Sequence, residues 1–123
     1  MITKLNVASI YVLDKDEALE FYVGKLGLAK RLDVPYAGGH RWIEVGPAGP
    51  ATTTIALVPA RQGIPAGVET GIRLTTADAD GDHARLLAHG VDAGEVLRWA
   101  GAPPMFAFRD QDGNGLEIVE QSA

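Results

Sequence analysis

The chain has 123 residues, 46% of them hydrophobic and 22% charged, a balance that supports one compact globular domain and excludes a disordered chain. Sixteen acidic against 11 basic residues give a net charge of −5, which offers no basic field for nucleic acid or anionic lipid. With no cysteine, disulfides, thiol catalysis and cysteine metal sites are all excluded.

The first residues, MITKLNVASI, enter a strand pattern without an apolar leader, and no run of 18 apolar residues follows, so a cytoplasmic location is expected. In VASIYV, Ala8, Ile10 and Val12 alternate with Val7, Ser9 and Tyr11, the period of a two-faced strand. Asp14 then stands at an N-cap position with Glu17 three residues on, a capping-box spacing. Ala18, Phe21, Tyr22 and Leu26 recur at helical spacing, and Gly27 offers a stop. HRWIEV and TTTIALV follow as strands, joined by the turn-rich GPAGPA.

PARQGIPAGVET, residues 59–70, carries two prolines and two glycines and is expected to link two modules, 1–58 and 71–123. The second module repeats the first. Ile72 and Leu74 alternate with Gly71, Arg73 and Thr75, Asp78 takes the N-cap position, Ala84, Leu87 and Val91 mark the expected buried stripe, and Gly90 ends the helix. Asp14 and Asp78 are 64 residues apart, as are Ile10 and Leu74, while Gly27 and Gly90 are 63 apart. MFAFRD and GLEIVEQ then form strands around the turn QDGN. Each module thus reads strand, helix, then two or three strands, an α+β pair in which each sheet carries its helix outside. Ala8, Ile10, Val12, Ile55, Leu57, Ile72, Leu74, Leu116 and Ile118 are expected to face the helices, leaving the opposite faces to line a concavity.

Two stretches, SIYVLDKDEALEFYVGKLGL and FAFRDQDGNGLEIVE, the second with a DxDGNxLE pattern, make the chain resemble the vicinal oxygen chelate superfamily of glyoxalase I, bleomycin-resistance proteins and extradiol dioxygenases. The resemblance spans essentially the whole sequence. It implies paired βαβββ modules forming a half-barrel cavity, and a homodimer. It further implies four metal-ligand positions on the first and last strands of the modules, occupied here by Val7, Ala56, Gly71 and Glu117. Only Glu117 offers a donor, and one carboxylate does not hold a divalent ion against water. A one-residue slip would bring Asn6 to the first position, but it would turn Ile10 and Val12 into the cavity. No metal and no other cofactor is therefore expected.

Several polar side chains face the expected cavity. Glu117 and Arg73 suggest an inward ion pair, either structural or an anchor for an anionic ligand. His40, Trp42 and Glu44 alternate on one face, where Trp42 can stack a flat ligand and its neighbours can hydrogen-bond the rim. His40 and Glu44 are about 13 Å apart by strand rise, too far to share a metal. Ser9 and Tyr11 add hydroxyls, and Trp99 and Met105 add apolar surface. His83 and His89 are expected to be solvated on the second helix, where Asp78, Asp80 and Asp82 favour the helix dipole. QDGNG lacks calcium-loop spacing and reads as a tight turn, and no GxSxG, HExxH, P-loop or dinucleotide fingerprint occurs.

The resulting expectation is a metal-independent protein binding a small, partly aromatic molecule, which the resemblance makes concrete as sequestration of a drug or natural product. The alternative is a lyase, isomerase or dioxygenase of the same superfamily, using an unrecognised metal site or acid–base work by Glu117 or His40. A third class is a non-catalytic regulatory or interaction module with an apolar-filled cavity.

Overall fold

A computed structural model describes residues 1–50 and 53–121. Ala51, in the expected GPAGPA turn, Thr52, at the head of TTTIALV, and Ser122 and Ala123, at the end of the second module, lie outside the described residues. Two compact units are present, Met1–Ala66 and Gly67–Ala123.

Unit 1 runs β1 (Val7–Val12), α1 (Lys15–Leu19) continuing into a π-helical segment (Glu20–Lys25), β2 (Ala29–Tyr36), a 3-10 turn (Ala37–Gly39), β3 (His40–Gly46) and β4 (Thr54–Pro59). Its sheet order is β1-β4-β3-β2. Strands β1 and β4 are parallel, and the other neighbours antiparallel. The Asp14 carboxylate caps α1 by accepting from the Glu17 amide at 2.9 Å, and Gly27 follows the helix at a φ of 89°, where a side chain would be strained. Ile10, Val12, Ile43, Val45, Ile55 and Leu57 bury one sheet face, and Ala18, Phe21, Tyr22 and Leu26 bury the helical face.

Unit 2 repeats the order with β5 (Glu69–Thr76), α2 (Ala79–Ala88), β6 (Asp92–Ala93), β7 (Met105–Arg109) and β8 (Gly115–Glu120), its sheet running β5-β8-β7-β6. The Asp78 carboxylate caps α2 through the Gly81 amide at 3.0 Å. Gly90 ends it at a φ of 75°. The 64-residue repeat survives in the pairing: Ile10 lies beside Leu57 on the parallel β1–β4 pair, and Leu74 beside Ile118 on β5–β8. Each unit is therefore a βαβββ module of an α+β fold.

The structure departs from the expected elements in three places. Strand β2 was not foreseen; it is an edge strand whose alternation is broken by a bulge between Lys30 and Leu32 and by Pro35, a residue that edge strands tolerate. Strand β6 has only two residues. On α2 the buried stripe is Ala79 and Leu86, with Val91 just beyond, whereas Ala84 and Leu87 are exposed. Ala79, His83 and Leu86 share one face at spacings of four and three. His83 is accordingly half-buried rather than solvated: its ring meets Phe106 edge-on at 5.0 Å, and Nε2 lies 2.8 Å from the Gly94 carbonyl oxygen. His89 is exposed.

The β7–β8 turn is built around two buried polar side chains, Asp110 and Asn114. One Asp110 carboxylate oxygen accepts from the amides of Asp112 and Asn114, each at 2.9 Å, and the other accepts from the Asn114 side-chain amide at 2.9 Å. The Asn114 side-chain carbonyl accepts from the amides of Gly67 and Val68 at 2.8 and 3.1 Å. The motif DQDGNGLE thus satisfies the backbone of its own turn and of the segment entering β5.

Candidate ligand-binding site

In unit 1, cross-strand register fixes which side chains share the sheet face opposite the helix. Ser9 pairs with Ala56, Ala56 with Glu44, Glu44 with Leu32, Trp42 with Val34, and His40 with Tyr36. Directly opposed residues project to the same side, so this face carries His40, Trp42 and Glu44 together with Leu32, Val34 and Tyr36. The last three are exposed apolar or aromatic side chains that the sequence reading missed along with β2.

Trp42 is held in place. Its indole N–H donates to one Glu44 carboxylate oxygen at 2.7 Å, and the Thr54 hydroxyl donates to the other at 2.5 Å. Tyr36 stands edge-on to Trp42, with ring centres 6.4 Å apart, and stacks on His40 at 5.5 Å. Tyr11 is half-buried with the Arg61 guanidinium 6.0 Å above its ring, and Ser9 is exposed.

A charged cluster sits at the end of β2 and β3. Arg41 donates to Asp33 through two nitrogens, at 2.8 and 3.2 Å, and to Asp16 at 2.9 Å. Hydrogen bonding to Arg41, with help from Lys30, lowers the Asp33 pKa to about 2, and Asp33 followed by Asp16 raises that of Arg41. Lys15 donates to the Arg41 carbonyl. Partial burial, then the Arg41 charge, pushes the Lys15 pKa down. Lys15, Asp16, His40 and Arg41 line a cleft of about 320 Å³.

In unit 2 the sheet face opposite α2 carries Arg73, Glu117 and Met105, with Glu117 paired to both Arg73 and Ala107 across the sheet. The Arg73 guanidinium lies 3.4 Å from the Glu117 carboxylate, and the two side chains are 63% and 35% exposed. The expected ion pair is therefore present, but it is a solvated one, which is worth little to stability. Arg109 and Glu69 pair above Gly115, where a Cβ would collide with both. Met105 is half-buried, whereas Trp99 is 57% exposed in the loop before β7. Asp80 pairs with Arg98, holding the arginine pKa up, and Asp82 pairs with Arg85.

The family model of the Glyoxalase/Bleomycin resistance protein/Dioxygenase superfamily matches residues 4–118. The chain belongs to this superfamily. It is similar to the uncharacterized protein YurT of Bacillus subtilis (strain 168), 36% identical over 129 aligned positions that cover 96% of this chain and 99% of YurT. Among solved structures it is similar to TnmS3, an antibiotic binding protein from Streptomyces sp. CB03234, at 32% identity and a TM-score of 0.87 with 98% of both chains covered. A superfamily member from Sphaerobacter thermophilus DSM 20745 shares 33% identity at a TM-score of 0.89, again over 98% of both.

The metal that enzymes of the superfamily hold does not fit this member's side chains. Val7, Ala56 and Gly71 carry no donor atom at the positions the resemblance assigns, and the fourth residue, Glu117, is engaged by Arg73. Among the described residues no group of three or more His, Asp or Glu side chains comes together to hold a metal ion. No helix among the described residues is long and apolar enough to cross a membrane.

Proposed function

We propose that this superfamily member is a cytoplasmic, homodimeric small-molecule-binding protein that sequesters a partly aromatic ligand, such as a drug or natural product, without a resident metal. The observation that carries this reading is the Trp42 indole, anchored by a carboxylate that Thr54 holds in turn, on a face it shares with the exposed apolar side chains of Leu32 and Val34. An aromatic surface held in one orientation loses little conformational freedom when a flat ligand stacks on it. The similarity to an antibiotic binding protein supports the same class of ligand.

Titration with planar aromatic natural products tests the proposal. A ligand at 100 times its Kd should stabilise the fold by about 2.7 kcal/mol, read as a rise in Tm, and should quench Trp42 fluorescence in a Trp99→Phe background. Trp42→Ala should abolish the rise. Stabilisation that is equal in Trp42→Ala, or absent across a broad panel of such compounds, would refute the assignment.

A further inference from the structure

Glu44 holds a position that neither its neighbours nor the fold require to be charged. Its two oxygens accept from the neutral donors Trp42 Nε1 and Thr54 Oγ1. Among the described residues of unit 1 the ion pairs join Lys30, Asp33, Arg41 and Asp16, and none includes Glu44. A half-buried carboxylate with no cationic partner gives up solvation for two hydrogen bonds that a neutral glutamine would also make. A glutamine carbonyl accepts from the indole, and its NH2 donates to the threonine oxygen. The negative charge is thus free for a ligand.

The charge also acts through the indole. The carboxylate accepts from the N–H edge of Trp42 and pushes electron density toward the π faces. Those faces attract cations. Tyr36 is the other large ring on this face, but it already carries His40 stacked on it and the Lys15 ammonium 6.0 Å from its centre. The Trp42 and Glu44 pair is therefore where a second cation finds both a π surface and an uncompensated carboxylate.

We infer that the site selects planar aromatic molecules bearing a protonated amine, with the ring system against Trp42 and the ammonium beside Glu44. This inference rests on the binding function proposed above. Glu44 is then both the positioning residue for the indole and the determinant of charge preference.

Three anthracenes of nearly the same shape separate the possibilities: 9-(aminomethyl)anthracene, 9-anthracenemethanol and 9-anthracenecarboxylate, which are cationic, neutral and anionic at neutral pH. Their binding is read by energy transfer from Trp42 in the Trp99→Phe protein and by calorimetry. The amine is expected to bind about tenfold more tightly than the alcohol, the combined effect of one cation–π contact and one partly screened ion pair, and the carboxylate least. Added salt should shrink the gap. Glu44→Gln keeps the two hydrogen bonds of the clamp and removes the charge, so the ratio of amine to alcohol affinity should fall from about ten to about one. Equal, Trp42-dependent affinities for amine and alcohol in the wild type would overturn the charge preference while leaving the binding function standing. A preference that persists in Glu44→Gln would also overturn it, because its source would lie elsewhere. Failure of all three anthracenes to bind would overturn the binding function and the preference together.

Discussion

Replacing Asn114 with alanine removes at least three side-chain hydrogen bonds at once, two accepted from the Gly67 and Val68 amides and one donated to Asp110 among them. The Asn114 backbone amide keeps its own bond to Asp110, so the turn retains part of its frame. At about 1 kcal/mol net for each bond lost, the substitution should cost about 3 kcal/mol. Unfolding entropy of about 2.1 cal/mol/K per residue, applied to 123 residues, converts this to a fall in Tm of about 12 °C if the chain melts as one unit. Differential scanning calorimetry reads the fall, and amide hydrogen exchange reads its location, because Gly67 and Val68 should lose protection first. Gly67 sits at a φ of 82°, where a side chain would be strained, and a Cβ there would lie 3.1 Å from the Asp112 carbonyl oxygen. A Tm within about 3 °C of wild type, or unchanged exchange at Gly67 and Val68, would refute the view that Asn114 ties this segment to the β7–β8 turn.

Three further predictions address other parts of the molecule. Because Arg41 depresses the Asp33 pKa from 3.8 to about 2, the Asp33 contribution to stability is present above the unfolded value and lost as pH falls through the folded one; Asp33→Asn should therefore melt below wild type at neutral pH, and the gap should close between about pH 4 and pH 2. Leu86→Ala should cost about 2–5 kcal/mol by chemical denaturation because Leu86 is fully buried, whereas Leu87→Ala, at 50% exposure, should cost less than about 1 kcal/mol; the reverse order would restore the stripe expected from sequence. Glu117→Gln breaks a solvated pair with Arg73 and should change stability by less than about 1 kcal/mol without altering affinity for planar aromatic ligands, so a large loss of either would show that Glu117 does more than pair with Arg73.

Most of the fold was legible because the signals were local and written twice. Asp14 and Asp78 both cap helices, Gly27 and Gly90 both end them at positive φ, and the apolar residues of VASIYV and TGIRLTT alternate on the faces they occupy. Strand β2 was hidden because a bulge shifts its alternation by one residue after Lys30, and Pro35 then interrupts it. The α2 stripe slipped by one because Leu86 and Leu87 are adjacent, and only His83, a polar-looking residue packed on Phe106, shows which of the two continues the line from Ala79. At the candidate site, the shared face of His40, Trp42 and Glu44 followed from strand period alone. Which groups those side chains bond did not, since Thr54 reaches Glu44 through the β3–β4 register and Tyr36 arrives on the unforeseen β2.

The residues that mark superfamily membership are largely separate from those that would recognise a ligand. In DQDGNGLE, Asp110 and Asn114 spend their polar atoms on backbone amides and on each other, and Gly115 leaves room for the Arg109–Glu69 pair. Such residues maintain a sheet whatever it binds. A metal site would have required several donors on the open faces, each carrying a desolvation cost repaid only when the ion is bound. Val7, Ala56 and Gly71, at three of the positions the resemblance assigns, supply no such donor. What the open face of unit 1 offers in its place is an indole fixed by a carboxylate, a threonine that fixes the carboxylate, and apolar side chains on the adjacent edge strand. Under the proposed function, stacking area and the Glu44 charge would discriminate ligands by shape and charge, whereas a metal discriminates by chelating oxygens. The proposed basis of recognition is physically inexpensive for the scaffold, because among the described residues the hydrogen bonds given for Asn114 and those of the Trp42 clamp involve different side chains.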